Sequence, residues 1–334
     1  MLTEYMKYYY QALPPHKKTI YKELYDGFRE RRSMIRIHTD PRTVSIEEVA
    51  EVAIAVYNDT PSFYYLDISS YTWMPTHYGY QYSQQYLYSE QDVAYYDQYL
   101  EEGWKRFESN YLHPSMSEYE KEKAIHDYLV NTITYDEEAL ISPQTTREAF
   151  NILGALIKKR AVCHGIACAF KYICDCCRLK CFVVVGEALP REGDVGHAWN
   201  MVKIDDESYH VDVTWDIKKK GDISFFYDYF NLSDPLIQFD HTWQSTLYPP
   251  CTAKEHNYYY KNKLFVRSVP DLTDYIATAL KNGNNYIAVK FANDMPPRKQ
   301  LENAISGGFL RARRFCSYIY SISDITHNIY IQIK

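Results

Sequence analysis

The spacing of apolar residues changes from helical to strand-like between positions 163 and 214, and this change restricts the fold more than any other feature of the sequence. Ile166, Ala169, Phe170 and Ile173 recur at the spacing of one helix face. Three stretches with the β-branched, aromatic or alternating signature of strands follow, at 181–186, 198–204 and 209–214. The polar residues at 205–208 form an evident turn, so the last two strands are predicted to be a hairpin.

Two proline-containing breaks divide the 334 residues, which are more than one ordinary domain needs. His113-Pro114 precedes the central region, and Pro249-Pro250 follows it. We therefore predict an N-terminal α+β region at 1–110, a core at 111–248 and a small α+β domain at 249–334. The N-terminal region is rich in tyrosine, whose apolar ring and polar tip suit half-buried surfaces and ligand-facing grooves.

Local signals place further elements around the core. Ser45 with Glu48, and Ser117 with Glu120, have the spacing of a capping box and predict helix starts. The other elements predicted before the core hairpin are a helix over 4–31, strands over 34–38, 63–67, 70–74 and 80–88, and helices over 91–111 and 147–159. The elements predicted near the C-terminus are strands over 264–268, 286–291, 314–321 and 327–333, and helices over 272–281 and 298–306.

Cys163 comes directly before the apolar-periodic segment and is predicted to lie in the first turn of its helix. Free backbone N–H groups and the positive end of the helix dipole favour a thiolate there, and a thiolate attacks carbonyl carbons. Gly165 leaves room for those N–H groups to hold an oxyanion. A buried core cysteine is the alternative interpretation, and Cys163 alone does not separate the two.

Two side chains of the predicted hairpin are candidates to act with the cysteine. His197 follows a glycine where a strand begins, so it has room to face a cleft. Asp212 lies between two valines inside a predicted strand, where a charge needs a cation or a donor as partner. If the turn is centred on 206–207, His197 pairs with Asp216. Asp212 then lies on the same face of the hairpin as His197, but roughly 13 Å from it along the strand. Register alone therefore favours Asp216.

Three short motifs resemble, in order, the three boxes of the transglutaminase-like superfamily: VCHGIA at 162–167, HAWN at 197–200 and VDVTWD at 211–216. Residues 123–136 are similar to the helix that precedes the nucleophile in that family. The resemblance implies a papain-like core, in which a catalytic helix packs on an antiparallel sheet, in a bacterial-type multidomain member. The predicted fold class is therefore α+β, with small α+β domains flanking a transglutaminase-like core.

The resemblance also assigns roles to residues. It makes Cys163 the nucleophile, His197 the base and Asp212 the orienting carboxylate, which favours Asp212 over Asp216. Tyr135 is a candidate for the upstream side chain that the family uses at the oxyanion.

Two other histidines near these motifs are weaker candidates. His164 follows the nucleophile and is expected to point to solvent or to the groove wall. His210 is expected to share the face of Asp212, where it could be a second polar group in the cleft.

Acyl transfer through a thioester is the activity that this assignment implies, most simply hydrolysis of a peptide or amide bond. The resemblance is to the wide bacterial branch, and no calcium-loop pattern is present, which favours hydrolysis over the animal type of cross-linking. A protein cross-linking transglutaminase and a non-catalytic interaction module remain the alternatives. The predicted partner is a peptide or protein substrate, a class that includes cell-wall and glycan-linked peptides.

The composition of the chain argues against several classes of protein and of binding site. A net charge of −6 argues against a nucleic-acid partner, and no apolar run is long enough for a membrane span. Four of the eight cysteines cluster at 174–181, but no CxxC pair recurs at ligand spacing, so zinc is the less favoured interpretation. No cofactor or metal is predicted. Unpaired cysteines and the lack of a visible signal peptide predict a reducing, cytoplasmic location, with secretion as the alternative if a signal has been removed.

Overall fold

The computed structural model describes residues 7–143, 146–188, 195–217, 227–292 and 294–334. Its α-helices are α1 (Tyr8–Ala12), α2 (Pro15–Arg29), α3 (Ile46–Asp59), α4 (Glu90–Tyr111), α5 (Glu118–Thr132), α6 (Glu137–Ile141), α7 (Cys163–Cys176), α8 (Val213–Asp216), α9 (Asp234–Ile237), α10 (Tyr258–Lys261), α11 (Val269–Lys281) and α12 (Arg298–Ala312). Its strands are β1 (Met34–His38), β2 (Leu66–Thr76), β3 (Gly79–Tyr86), β4 (Thr134–Tyr135), β5 (Arg160–Ala161), β6 (Lys180–Ala188), β7 (Val195–Ile204), β8 (Glu207–Val211), β9 (His241–Trp243), β10 (Phe265–Val266), β11 (Tyr286–Phe291), β12 (Tyr318–Ser323) and β13 (Asn328–Ile333).

The central sheet has the strand order β8-β7-β6-β9, and every neighbouring pair in it is antiparallel. Helix α7 packs on this sheet, and its apolar face is buried where the sequence spacing predicted it. Both predicted capping boxes are present, at the starts of α3 and α5, because each serine accepts the N3 amide and each glutamate accepts the serine amide. The predicted helix on an antiparallel sheet is therefore confirmed.

Several of the predicted elements differ from the structure. The helix predicted over 4–31 is two helices, because Pro14 and Pro15 interrupt it, and its residues 4–6 lie outside the described range. The two strands predicted at 63–67 and 70–74 are one strand, β2, with an irregularity between Leu66 and Tyr71. The helix predicted over 147–159 is a 3₁₀ turn followed by a π-helical turn.

The hairpin of β7 and β8 has a register two residues away from the predicted one. Its turn is centred on Asp205 and Asp206, which both have positive φ angles, 49° and 70°. Two such residues give the type I′ geometry that fits the twist of a two-residue hairpin, and aspartate tolerates it better than most side chains. Met201 therefore pairs with His210 rather than with Asp212.

The flanking regions each contribute a sheet and helices. In the N-terminal region the strand order is β1-β3-β2, and its apolar core also includes Cys168, Val183 and Ala198 of the central region. In the C-terminal region the order is β10-β11-β13-β12, and α11 and α12 pack together over a core of residues 266–331. The three-part division at residues 110 and 248 remains a prediction. Among the described residues no helix has the length and apolarity to cross a membrane.

Candidate active site

Cys163 is the first residue of α7, and Val162 is the N-cap. The backbone N–H groups of this turn have no helical partners, and the positive end of the helix dipole lies at the thiol. The turn is held against the 3₁₀ segment before it: the Val162 amide donates to the Ala149 carbonyl at 3.0 Å. A Cβ on Gly165 would lie 2.3 Å from the Ala149 carbonyl oxygen, so only glycine permits this approach. The nucleophile candidate therefore has a fixed backbone.

His197 lies on β7 beside the start of α7, and it interacts with the Cys163 thiol. Burial by itself would raise the pKa of Cys163, but the hydrogen bond and charge of His197, with the Ala198 amide, lower it below its ordinary value. Burial would likewise lower the pKa of His197, but Asp212 and Cys163 raise it to about 10. These opposite shifts favour a thiolate–imidazolium pair at neutral pH.

Asp212 accepts a hydrogen bond from His197, with Nε2 and Oδ2 2.7 Å apart. The aspartate is fully buried, and its other oxygen accepts the Trp215 amide as the N-cap of α8. Burial would raise the pKa of Asp212, but His197 and His241 hold it well below its usual range. The Asp212 carboxylate is therefore ionised and fixed in orientation. The structure thus brings Cys163, His197 and Asp212 into one line of contacts.

The corrected register explains how Asp212 reaches His197. Continuing the observed pairing places Asp212 opposite Trp199, two residues from His197 and about 7 Å along the strand. Strand β8 ends at Val211, and the chain turns into α8 at Asp212, so the carboxylate closes the remaining distance. The predicted gap of roughly 13 Å was wrong because the turn was placed one residue too far along.

Asp216 is not the partner of His197, and the preference from simple register was wrong. Asp216 lies at the end of α8, buried, with its Oδ2 atom 2.9 Å from His126 Nε2 on α5. Its Oδ1 atom accepts the amides of Asp228 and Tyr229 at 2.9 and 3.1 Å. One helical turn separates the two aspartates: Asp212 faces histidines of strands β7 and β9, and Asp216 faces a histidine of helix α5.

A second imidazole, His241, contacts the same carboxylate oxygen as His197. His241 Nε2 lies 3.1 Å from Asp212 Oδ2, and its Nδ1 lies 2.6 Å from Asp240 Oδ1. It is fully buried and is the first residue of β9. Strand β9 pairs with the end of β6 that precedes the undescribed residues 189–194. The sequence patterns did not single out His241, because only the pairing of β9 with β6 brings it to a site 29 residues away. The adjacent Asp240-His241 pair between aromatic residues was the available signal.

Tyr135, the candidate for the upstream oxyanion side chain, lies beside the nucleophile. It ends the short strand β4, which pairs in parallel with β5 two residues before Cys163. Burial raises the pKa of Tyr135, as do the charges of Cys163 and Asp212, while a hydrogen bond with the Cys163 backbone lowers it. The Tyr135 hydroxyl therefore lies within hydrogen-bonding reach of the Cys163 backbone, near the thiol.

Two other histidines considered from the sequence lie elsewhere. His164 does not point to solvent: its nitrogens contact the Phe150 carbonyl and the Asn58 amide oxygen, and its ring stacks on Tyr57. His210 is fully buried, accepts from the Trp199 indole N–H at 2.9 Å and faces Asp234 at 2.8 Å, so it is not a group of the cleft. Burial, the largest effect on His210, lowers its pKa and keeps this imidazole neutral.

Two clusters among the described residues have the spacing of metal ligands. They are His197 with Asp212 and His241, and His210 with Asp234 and Cys251. In both clusters the imidazole nitrogens and the carboxylates already contact each other at 2.7–3.1 Å. Hydrogen bonding accounts for these contacts, and a metal would have to displace the bridging protons.

Residues 105–213 match the family model of the transglutaminase-like superfamily. This match contains Cys163, His197 and Asp212 but not His241, and it confirms the transglutaminase-like core that the sequence motifs predicted.

Among curated proteins, the kyphoscoliosis peptidase of mouse is 26% identical over 187 residues, which are 50% of this chain and 28% of that protein. The kyphoscoliosis peptidase of human is 27% identical over 178 residues, 47% of this chain and 26% of that protein. The chain thus spans little more than a quarter of the length of these relatives.

Two solved structures are similar over parts of the chain. A structure described as a TGase has a TM-score of 0.32 and 18% identity, over 57% of this chain and 52% of that one. A structure from Cytophaga hutchinsonii, provisionally named a cysteine protease, has a TM-score of 0.29 and 11% identity, over 43% and 61%.

Proposed function

We propose that this protein is a cysteine-dependent acyl transferase that hydrolyses a peptide or amide bond through a thioester. The observation that carries the proposal is the continuous contact from a thiol in the first turn of a helix, through His197, to a buried and ionised Asp212. The pKa shifts favour in each member the charge state that nucleophilic catalysis needs: thiolate, imidazolium and carboxylate.

The first step forms the thioester. The Cys163 thiolate attacks the carbonyl carbon, and the carbonyl oxygen becomes an oxyanion. The His197 imidazolium gives its proton to the leaving amine, which breaks the carbon–nitrogen bond and leaves His197 neutral. Asp212 holds the Nε2–H of His197, so that the other ring nitrogen faces the thiol. In the second step, water loses a proton to His197 and attacks the thioester, which releases the acid and regenerates the ion pair.

The oxyanion needs donors beside the reacting carbon, and two groups lie there. The backbone N–H of Cys163 has no helical partner, and the Tyr135 hydroxyl lies against it. We assign Tyr135 as the side-chain donor to the oxyanion, because its burial and the nearby negative charges keep its phenol protonated at neutral pH.

Hydrolysis and cross-linking share the thioester and differ in the group that attacks it. The curated relatives are named peptidases, and this favours water as the acceptor and a peptide or protein as the substrate. The assignment to the bacterial branch in particular stays a prediction. All eight cysteines are free thiols, which favours a reducing compartment and supports the predicted cytoplasmic location.

The test compares the Cys163→Ala variant with Cys316→Ala, since Cys316 is the half-buried cysteine of the C-terminal region. We expect wild type and Cys316→Ala to cleave members of a peptide library in the presence of a reductant, and Cys163→Ala to cleave none. New amino termini report hydrolysis, while incorporation of an added primary amine reports cross-linking.

Labelling with iodoacetamide at pH 7 tests the nucleophile without knowledge of the substrate. Cys163 is expected to react faster than Cys316 by at least about tenfold, because His197 lowers the pKa of Cys163 and so raises its thiolate fraction. Equal labelling rates for the two thiols, together with unchanged cleavage in Cys163→Ala, would contradict the enzyme proposal and favour the interaction module.

A further inference from the structure

We infer that His241 is a positively charged positioning residue, which Asp240 holds in place and which fixes the orientation and tunes the charge of Asp212. This inference rests on the proposed function, because it concerns how the proposed base His197 is controlled. It adds two residues to the site: an imidazole and a carboxylate that lie behind Asp212 and do not face the thiol.

The hydrogen bonds of His241 determine its protonation. Its Nδ1 faces Asp240 Oδ1 at 2.6 Å and its Nε2 faces Asp212 Oδ2 at 3.1 Å. A carboxylate accepts hydrogen bonds but does not donate them, so two carboxylate partners require a proton on each nitrogen. Asp240 is in turn fixed by the Tyr229 hydroxyl, which donates to its other oxygen at 2.6 Å. His241 is therefore an imidazolium between two anions.

Burial strengthens the interactions between these three charges. His241 and Asp212 are fully buried, and Asp240 is 4% exposed, so solvent does not screen their charges well. Burial would lower the pKa of His241, but the hydrogen bonds and charges of Asp212 and Asp240 raise it. The signs of charge then alternate along the contact line, from the Cys163 thiolate through His197, Asp212 and His241 to Asp240.

The other titratable groups near this line come from several elements. His210 on β8 is neutral and bonded to Asp234, so it adds no charge. Lys290 on β11 donates to the Thr326 carbonyl, and Asp240 is among the anions that act on it. Asp240, Tyr229 and Lys290 also line a cavity of about 220 Å³ between residues 228–240 and the C-terminal region. The outer end of the line thus meets the C-terminal region.

The positive charge on His241 has a predictable effect on the base. The rings of His197 and His241 are 5.3 Å apart, and like charges at this distance disfavour each other. His241 therefore offsets part of the rise that Asp212 imposes on the pKa of His197, and it leaves His197 a stronger acid toward the leaving amine. Removal of the His241 charge is expected to make His197 hold its proton more tightly.

Two substitutions separate charge from packing. In Asp240→Asn the amide can still accept from the Tyr229 hydroxyl and donate to His241 Nδ1, while His241 keeps a proton on Nε2 for Asp212 and becomes neutral. In His241→Gln the amide can still donate to Asp212 but carries no charge. His210→Gln is the matched control, since His210 is an equally buried imidazole in the same sheet that is bonded to Trp199 and Asp234 instead.

The first measurement is the ¹⁵N spectrum of histidine-labelled full-length protein at pH 7.5. We expect wild-type His241, assigned by the signal lost in His241→Gln, to show two protonated nitrogens. In Asp240→Asn the same residue should show one. An unprotonated ring nitrogen on His241 in the wild type would overturn the inference, and this holds even if His241→Gln does not fold, because the change caused by Asp240→Asn also identifies the signal.

The second measurement is the rate of Cys163 alkylation by iodoacetamide between pH 5 and pH 11. Loss of the His197 proton gives the alkaline step, expected near pH 10 in wild type. Asp240→Asn and His241→Gln should move that step upward by about half a pH unit or more, and His210→Gln should leave it in place. Superimposable profiles for wild type and both variants would contradict the inference while leaving the nucleophile intact. A wild-type Cys163 that reacts no faster than Cys316 would instead contradict the proposed function.

Discussion

Two buried histidine–aspartate pairs flank the same short helix, and only one of them adjoins a thiol. Asp212 precedes α8 and contacts His197 at 2.7 Å, while Asp216 ends α8 and contacts His126 at 2.9 Å. All four side chains are buried, and the two distances are almost equal. The pKa values of the two carboxylates are nevertheless shifted in opposite directions, down for Asp212 and up for Asp216.

The difference lies in what else surrounds each carboxylate. Asp212 receives two imidazoles and a backbone amide, which hold its pKa well below the usual range. Burial raises the pKa of Asp216 to about 7, and the negative charge of Asp228 adds to this effect, although His126 and the Tyr229 amide oppose it. A short contact between histidine and aspartate does not by itself define a catalytic pair. Each carboxylate accepts three hydrogen bonds, so the surrounding charges make the difference: Asp212 faces two imidazoles, while Asp216 faces one imidazole and the charge of Asp228.

The outer partners of the two imidazoles also differ. His197 has the Cys163 thiol on its other side. The Nδ1 atom of His126 lies 3.6 Å from an oxygen of Asp127, too far for a hydrogen bond, and Tyr227 stacks on its ring. The pair of His126 and Asp216 therefore ties α5 to α8, whereas the pair of His197 and Asp212 is connected to a nucleophile.

Exchange of each aspartate for asparagine should give the largest contrast. Asp212→Asn removes the charge that stabilises the His197 imidazolium, and we expect peptide cleavage to fall by about 10³-fold or more. Asp216→Asn should leave the cleavage rate close to wild type. Cleavage rates of the two variants are compared at one saturating peptide concentration, and circular dichroism checks that both variants are folded. Similar losses of cleavage rate in the two variants would contradict the functional distinction between the pairs.

Each pair has a neighbouring tyrosine, and removal of the hydroxyls sharpens the comparison. Tyr135→Phe takes a donor from the proposed oxyanion site, and a loss of about 10²-fold in kcat with little change in KM is expected. Tyr227→Phe removes a hydroxyl that contacts Asp127 and Lys123 beside the other pair, and kcat should be retained. If kcat were also retained in Tyr135→Phe, the oxyanion would have to be held by the backbone alone.

The pair of His126 and Asp216 should affect the stability of the fold rather than catalysis. Asp216→Asn weakens a buried contact that joins α5 to the segment after α8, so a loss of about 1–3 kcal/mol in the free energy of unfolding is expected. Urea denaturation followed by tryptophan fluorescence measures it. An unchanged midpoint would show that this pair contributes nothing to the fold.

The smallest predicted effect is a pH dependence near the second pair. Burial raises the pKa of Glu122 on α5 to about 8, despite a hydrogen bond from Asn231. The folded state therefore binds a proton that the unfolded state releases above its ordinary pKa, so stability is lost as the pH rises from about 4.5 to about 8. Glu122→Gln should become more stable relative to wild type over this window. The exposed Glu108→Gln should track wild type, and parallel curves for all three proteins would contradict the raised pKa.

Local chemistry determined much of the fold in advance. The helix starts at Ser45 and Ser117 were predictable because capping uses side chains three residues apart. The start of α7 at Cys163 was predictable because its apolar residues repeat at helical spacing. The break at Pro14 was available in the sequence and was missed, although a proline pair removes the amide donors that a continuous helix needs.

The sequence by itself brought forward Cys163, His197 and Asp212, since their motifs are contiguous and local. Only the tertiary structure decided which aspartate serves His197, because a shift of the hairpin turn by one residue moves the partner by two positions and the chain leaves the strand at Asp212. Only the tertiary structure showed His241, whose contact with Asp212 depends on the pairing of β9 with β6. Charges at a site act through space, and spacing along the chain does not fix the distances between them.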